Sequence, residues 1–203
     1  MSDPPLEPEP PRGPDSPGIP PRLTAQLIVI FYGAMIALAV LLAWIFSIPS
    51  LFHLPPGPRL LPDGPLAWGA GIALGLLAHG LGELARRRFE WARSFYTRMA
   101  ELLGPVSTPW VIVAAASSGF AEELLFRGAL LPVAGLWLQA FFFGLVHVGP
   151  DRSMRFWPFY AAVMGVLFGV LYQQSGSLLA PVLAHFTVNY FGLSALVSSS
   201  PKS

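Results

Sequence analysis

No cysteine occurs in the 203 residues. That excludes disulfides, thiolate nucleophiles and cysteine-ligated zinc or iron–sulfur centres. Charge is scarce as well: Asp, Glu, Lys and Arg make up 11% of the chain, against about 25% in soluble domains. With 54% hydrophobic residues, a soluble globular domain is excluded too, and the expectation is an all-α polytopic membrane protein. The net charge of +1 provides no basic field for a nucleic-acid partner. Lysine is nearly absent, with Lys202 alone beside eleven arginines. That bias fits a GC-rich bacterial coding sequence and hence a bacterial cytoplasmic membrane.

Long apolar runs are what the chain has in abundance. At roughly 20 residues per span, the length leaves room for a bundle of about six transmembrane helices. Residues 1–22 come first, with nine prolines among scattered Asp, Glu and Gly. Such a stretch buries no core and reads as a disordered tail. The apolar run behind it is too long for a secretory signal and has no small-x-small cleavage site. The expected spans are 23–48, 66–84, 109–131, 136–148, 156–174 and 178–197. Gly71 with Gly75, and Gly165 with Gly169, form small-xxx-small faces of the kind that let helices approach closely. His79 and Glu83 read as an interfacial hydrogen-bonded pair.

Between the second and third spans, residues 86–103 interleave Arg86, Arg87, Arg88, Arg93 and Arg98 with Phe89, Trp91, Phe95 and Tyr96. This reads as an amphipathic helix at the bilayer surface, arginines toward anionic lipid and aromatics at headgroup level. By the positive-inside rule this segment is cytoplasmic, and so are both termini. The organisation expected is a tail (1–22), two spans with the basic helix (23–104), a membrane core (105–197) and a short polar tail (198–203).

The core carries the chemistry. Phe120-Ala121-Glu122-Glu123-Leu124-Leu125-Phe126-Arg127 puts two carboxylates and a guanidinium into an apolar run. Each charge costs at least ~2.5–3.5 kcal/mol at the centre of a membrane helix. Residues four apart share a helix face, so Arg127 can neutralise Glu123. Glu122 points about 100° away and keeps no sequence-local cation, which suits a general base. A structural ion cluster, or a carboxylate of a transport pathway, would read the same on these residues alone.

More polar groups lie at membrane depth. Phe143 and His147 are four apart on the fourth span, and His185 and Asn189 four apart on the sixth. At about 1.5 Å per residue from the turns, Glu122 lies ~14 Å in, His147 ~17 Å, His185 ~11 Å and Asn189 ~17 Å. Three helices thus offer a carboxylate, two imidazoles and an amide in one layer, which favours a functional site.

The set Glu122-Glu123-xxx-Arg127, Phe143-xxx-His147 and His185-xxx-Asn189 resembles the CPBP family of intramembrane proteases. That family includes the CAAX prenyl endopeptidases and bacterial relatives once called abortive-infection proteins. The resemblance implies peptide-bond hydrolysis inside the membrane, on a membrane-associated peptide or protein. Glu122 would activate water, His147 would help position it, and His185 and Asn189 would donate to the developing oxyanion. Glu123 and Arg127 would hold the site together, with Phe143 packed beside it. No obligatory cofactor is expected. A metal such as zinc stays open, with Glu122, His147 and His185 as its ligands, although no His-Glu-x-x-His motif is present. Two other readings remain: a non-catalytic membrane interaction or immunity protein of the same fold, and an ion-coupled transporter. Against the transporter, no internal duplication is visible.

Overall fold

The structure is a computed structural model, and it describes residues 21–104 and 107–199. Nearly all of the Pro-rich segment 1–22, and the final polar residues from 200 on, lie outside the described residues. The helices are α1 (Pro21–Ile45), α2 (Pro65–Arg88), α3 (Glu90–Leu103), α4 (Thr108–Glu123), α5 (Leu131–Leu145), α6 (Trp157–Ser175) and α7 (Leu179–Ser199). A π-helical stretch, Leu124–Leu130, joins α4 to α5 without a break.

Five of these stretches are long and apolar enough to cross a membrane, and the third runs from Thr108 to Leu145. This third stretch is not one rod. Gly135 sits at φ 77°, ψ 172°, in a region that side chains with a Cβ rarely enter. Phe126 and Phe143 have ring centroids 4.9 Å apart, whereas 17 residues of straight helix would separate them by roughly 25 Å. The chain therefore doubles back at Gly135, so this stretch supplies two helical segments where the sequence predicts the spans 109–131 and 136–148, and the second is too short to cross a membrane. Lipid-facing surface is plain on the outside: Val29, Trp44, Trp137 and Phe159 are 70%, 78%, 74% and 71% exposed. Water would not tolerate so much exposed apolar surface, whereas hydrocarbon favours it.

The close pairs are α2 with α7, α5 with α6, and α4 with α7. Small residues set each approach. A Cβ on Gly71 would lie 2.3 Å from the Ala180 carbonyl oxygen, and one on Gly75 2.5 Å from that of Ala184. Gly165 lies against Ala140, and Gly169 against Leu136 and Gln139. Both glycine faces expected from the sequence are thus helix contacts. Gly176, left-handed at φ 69°, closes α6 by donating its N–H to the Tyr172 carbonyl. The α1–α2 connection crosses this turn: Leu54 N–H donates to Gly176 O at 3.0 Å, and Leu178 N–H to Phe52 O at 2.8 Å.

At the opposite end, Phe89 is extended (φ −121°, ψ 133°) and separates α2 from α3. The surface helix is therefore shorter than 86–103. Two of its aromatics contact the start of α6: the Trp91 ring lies tilted against Phe156 at 4.9 Å, and Phe95 against Trp157 at 5.9 Å. Arg98 pairs with Asp151 at 2.6 Å and with Glu101 at 3.0 Å. Hydrogen bonds from Ser153 and then Arg98 hold the Asp151 carboxyl below its usual range. A depressed carboxyl stabilises the fold above its unfolded pKa and loses that contribution as pH falls through the folded value. The α3 clamp should therefore be intact at neutral pH and loosen only in strong acid.

The glycine contacts give a direct check. Gly75→Ala should lower stability by about 1–3 kcal/mol through overpacking, read as a lower Tm in detergent. Gly69→Ala, with open space at the new Cβ, should be neutral or slightly stabilising. Equal effects at both positions would contradict the α2–α7 packing.

Candidate active site

The doubling-back at Gly135 is what assembles the site. Beyond Gly135, α5 has only ten residues, roughly 15 Å, or about half a hydrocarbon core. His147, just past its end, therefore stops beside Glu122 rather than at the far surface. The π stretch contributes too. Its wide turn, closed by Leu131 N–H to Phe126 O, rotates the following residues relative to a plain α-helix.

Arg127 and Glu123 are both fully buried, at 0% exposure. Arg127 Nη1 donates to Glu123 Oε1 at 2.9 Å, and Nη2 to the Gly165 carbonyl at 3.3 Å. The guanidinium lies 4.4 Å over the Phe143 ring and 5.3 Å over Phe168, so cation–π contacts cover its faces. Glu123 has a second partner, His185 Nδ1 at 2.8 Å. Through Glu123 the pair reaches α7, and through Arg127 it reaches the Gly165 carbonyl of α6, so one ion pair ties α4 and the π stretch to both helices.

Glu122 is placed differently. Its side chain is 11% exposed, that of Glu123 0%. Its Oε2 has no hydrogen-bond partner within the protein and faces His147 Nε2 at 3.8 Å and His185 Nε2 at 3.9 Å. The other nitrogen of each ring fixes the tautomer. His147 Nδ1 is 2.6 Å from the Phe143 carbonyl oxygen, which can only accept, so Nδ1 carries the proton. His185 Nδ1 likewise donates to Glu123. In neutral imidazoles both Nε2 atoms then present lone pairs toward the Glu122 carboxylate.

Asn189 Nδ2 donates to the Ser118 hydroxyl at 2.8 Å, one helical turn before Glu122. All seven residues singled out in the sequence thus fall in one cluster, including Phe143, whose ring lies 4.7 Å from His147 and 6.0 Å from His185. Two contributors escaped the sequence reading. Ser118 was one polar residue in an Ala-Ser run. Gln139, 0% exposed, donates to the same Gly165 carbonyl at 2.9 Å; its burial could have been read from its position in an apolar run.

With this geometry in place, comparison with known proteins becomes informative. Residues 104–191 match the family model of the Rce1-like type II CAAX prenyl endopeptidases. Over this stretch, less than half of the chain, the protein is similar to that family. The matched residues hold Glu122, Glu123, Arg127, Phe143, His147, His185 and Asn189; α1, α2 and α3 lie outside them. An uncharacterized Bacillus subtilis (strain 168) protein, YpbD, is 34% identical over 85 residues. That alignment covers 41% of this chain and 43% of YpbD, so less than half of the relative is represented. No solved structure matches. The Rce1-like core therefore covers the cluster but not the helices that flank it.

The two glutamates should respond differently to a lost partner. Arg127→Met leaves the Glu123 charge buried and uncompensated, which costs about 3–5 kcal/mol. We expect that variant to be recovered poorly or to melt far below the wild type in detergent. A Tm within a degree or two of the wild type would contradict the tie described above.

Proposed function

We propose that the protein is an intramembrane endopeptidase in which Glu122 activates water to hydrolyse a peptide bond of a membrane-associated peptide or protein. The observation that carries this reading is the placement of Glu122: a carboxylate free of the Arg127 pair, slightly exposed, and facing two imidazole nitrogens across a gap of nearly 4 Å. Atoms this close leave no room for a water on the line that joins them, but a water seated beside them would reach both Glu122 and an imidazole. The Rce1-like match over 104–191 supports the same class of reaction.

Charge counting suggests how the groups share the work. Glu123 and Arg127 cancel, so a charged Glu122 would leave one net negative charge in low dielectric. One proton shared among Glu122, His147 and His185 makes the layer neutral. When Glu122 takes a proton from the attacking water, its oxygen adds to the substrate carbonyl. The carbonyl oxygen then gains the negative charge. His185, protonated at Nε2 and steadied through Nδ1 by Glu123, can donate to that oxyanion, together with the Asn189 amide. The proton collected by Glu122 passes to the leaving amine as the bond to nitrogen breaks. His147, anchored by its Phe143 hydrogen bond, orients the water. His185 thus serves as an oxyanion donor only in its protonated form, because its other N–H is committed to Glu123.

Zinc would accept these donor types, and the engaged Nδ1 atoms are what metal-bound histidines usually have. The side chains that would hold such an ion are Glu122, His147 and His185, with Glu122 Oε2 3.8 and 3.9 Å from the two Nε2 atoms, and the water reaction above does not call on it. No step is therefore derived through a metal. A transport or scaffold role has no particular observation in its favour. The expected orientation, with both termini in the cytoplasm, puts α3 and the 149–155 loop on that side.

Purified protein should cleave members of a quenched fluorescent peptide library in detergent. Glu122→Gln should lower kcat at least about a hundredfold, and a strong chelator should leave the rate unchanged. Cleavage abolished by chelator and restored by zinc would move Glu122, His147 and His185 into ligand roles. Cleavage equal in wild type and Glu122→Gln would overturn the proposal.

A further inference from the structure

His147 stands past the last residue of α5, in a closing turn. Its N–H donates to the Gly144 carbonyl at 3.0 Å, and Val148 N–H to that of Leu145 at 3.3 Å. Bonds to the third residue back are the tightened geometry of a helix that is ending, so a regular helix does not fix this imidazole. Two local holds act on the ring. Nδ1–H donates to the Phe143 carbonyl at 2.6 Å, and the Phe143 ring lies 4.7 Å away. Both come from one turn back on the same helix and move with it. The ring that meets His147 from another helix is Trp157, the first residue of α6, at 5.2 Å and nearly perpendicular at 85°. Edge-to-face is an arrangement that aromatic rings favour, and here it joins two helices.

Trp157 is held in turn by α3. Phe95 lies 5.9 Å from it. Trp91 meets Phe156 at 4.9 Å, and Arg98 meets Asp151 at 2.6 Å. Residues 91, 95 and 98 recur at the helical period, so one face of α3 spans the 149–155 loop and the start of α6. That loop is itself closed down, because a Cβ on Gly149 would run into the Met154 side chain, which is 1% exposed. The end of α5, the loop and the start of α6 form one packed corner, with α3 laid against it. His147 Nε2, 3.8 Å from Glu122 Oε2, is the working end of that corner. A single hydrogen bond at Nδ1 leaves the ring free to pivot, and a contact on the ring from a second helix removes that freedom.

We infer that Trp157 is a positioning residue for His147, and that α3 buttresses it through Phe95. The catalytic half of this inference rests on the proposed protease reading, and the packing link does not. It also gives α3 a role that the family match, beginning at residue 104, does not assign.

The chain has four histidines, so protein labelled with 13C,15N-histidine gives few ring signals in detergent, and His147→Gln identifies that of His147 by its loss. Trp157→Leu should shift the His147 signal strongly. Phe95→Leu, which leaves both His147 and Trp157 in place, should shift or broaden it as well. Leu102→Ala, at an exposed position of α3, should leave it unmoved. With the quenched peptide library, Trp157→Leu should lower kcat about ten- to a hundredfold with KM close to wild type, and Trp157→Phe, which keeps a ring, should recover most of the loss. If Trp157→Leu does not fold, Trp157→Phe and Phe95→Leu read the same link. A His147 signal unmoved by Phe95→Leu overturns the buttress, whether or not the protein cleaves anything. Shifted signals with unchanged kcat overturn the positioning role. Shifted signals in a protein whose wild type cleaves nothing support the packing link while refuting the protease reading.

Discussion

A buried guanidinium with its carboxylate is the interaction on which this bundle depends. Arg127 and Glu123 have no solvent exposure, and separation inside hydrocarbon would strand two charges. Their pairing alone would not fully offset desolvation. The offset comes from what surrounds them: the Gly165 carbonyl, the Phe143 and Phe168 rings, and His185 on the far side of Glu123. These partners come from α5, α6 and α7, so one pair engages four helices, with Arg127 Nε and Glu123 Oε2 left without a protein partner.

The rest of the site follows from that constraint. Once Glu123 is turned toward Arg127 and His185, its neighbour must point about 100° away, toward the gap bounded by His147 and His185. The short α5 then decides depth, because a full-length helix would have carried His147 to the membrane surface. Glycine makes the arrangement feasible at two kinds of place. Gly135 supplies the left-handed turn that folds α5 back, and Gly165 and Gly169 let α5 lie close enough for Gln139 to reach the Gly165 carbonyl.

Much of this was legible in the sequence. Helix number, both glycine faces and the cluster formed by Glu122, Glu123, Arg127, Phe143, His147, His185 and Asn189 all follow from period, spacing and depth, since membrane helices leave little freedom once their turns are placed. What was not legible depends on rotation and on partners distant in sequence. No residue pattern announces the π turn at Leu124–Leu130. The aromatics of α3 suit a headgroup layer by composition, yet Trp91 and Phe95 are used against Phe156 and Trp157. Which His185 nitrogen is free also needed coordinates, because only its contact with Glu123 shows which one is already committed.

The central claim is that adjacent glutamates divide the labour, Glu123 holding the bundle and Glu122 performing the chemistry. The most direct measurement compares Glu122→Gln with Glu123→Gln for both thermal unfolding and peptide cleavage. The account predicts that Glu122→Gln keeps a Tm near the wild type and loses cleavage, while Glu123→Gln loses stability heavily because Arg127 is left buried without its counter-charge. Equal loss of stability in both variants, or a well-folded Glu123→Gln with an unfolded Glu122→Gln, would contradict it.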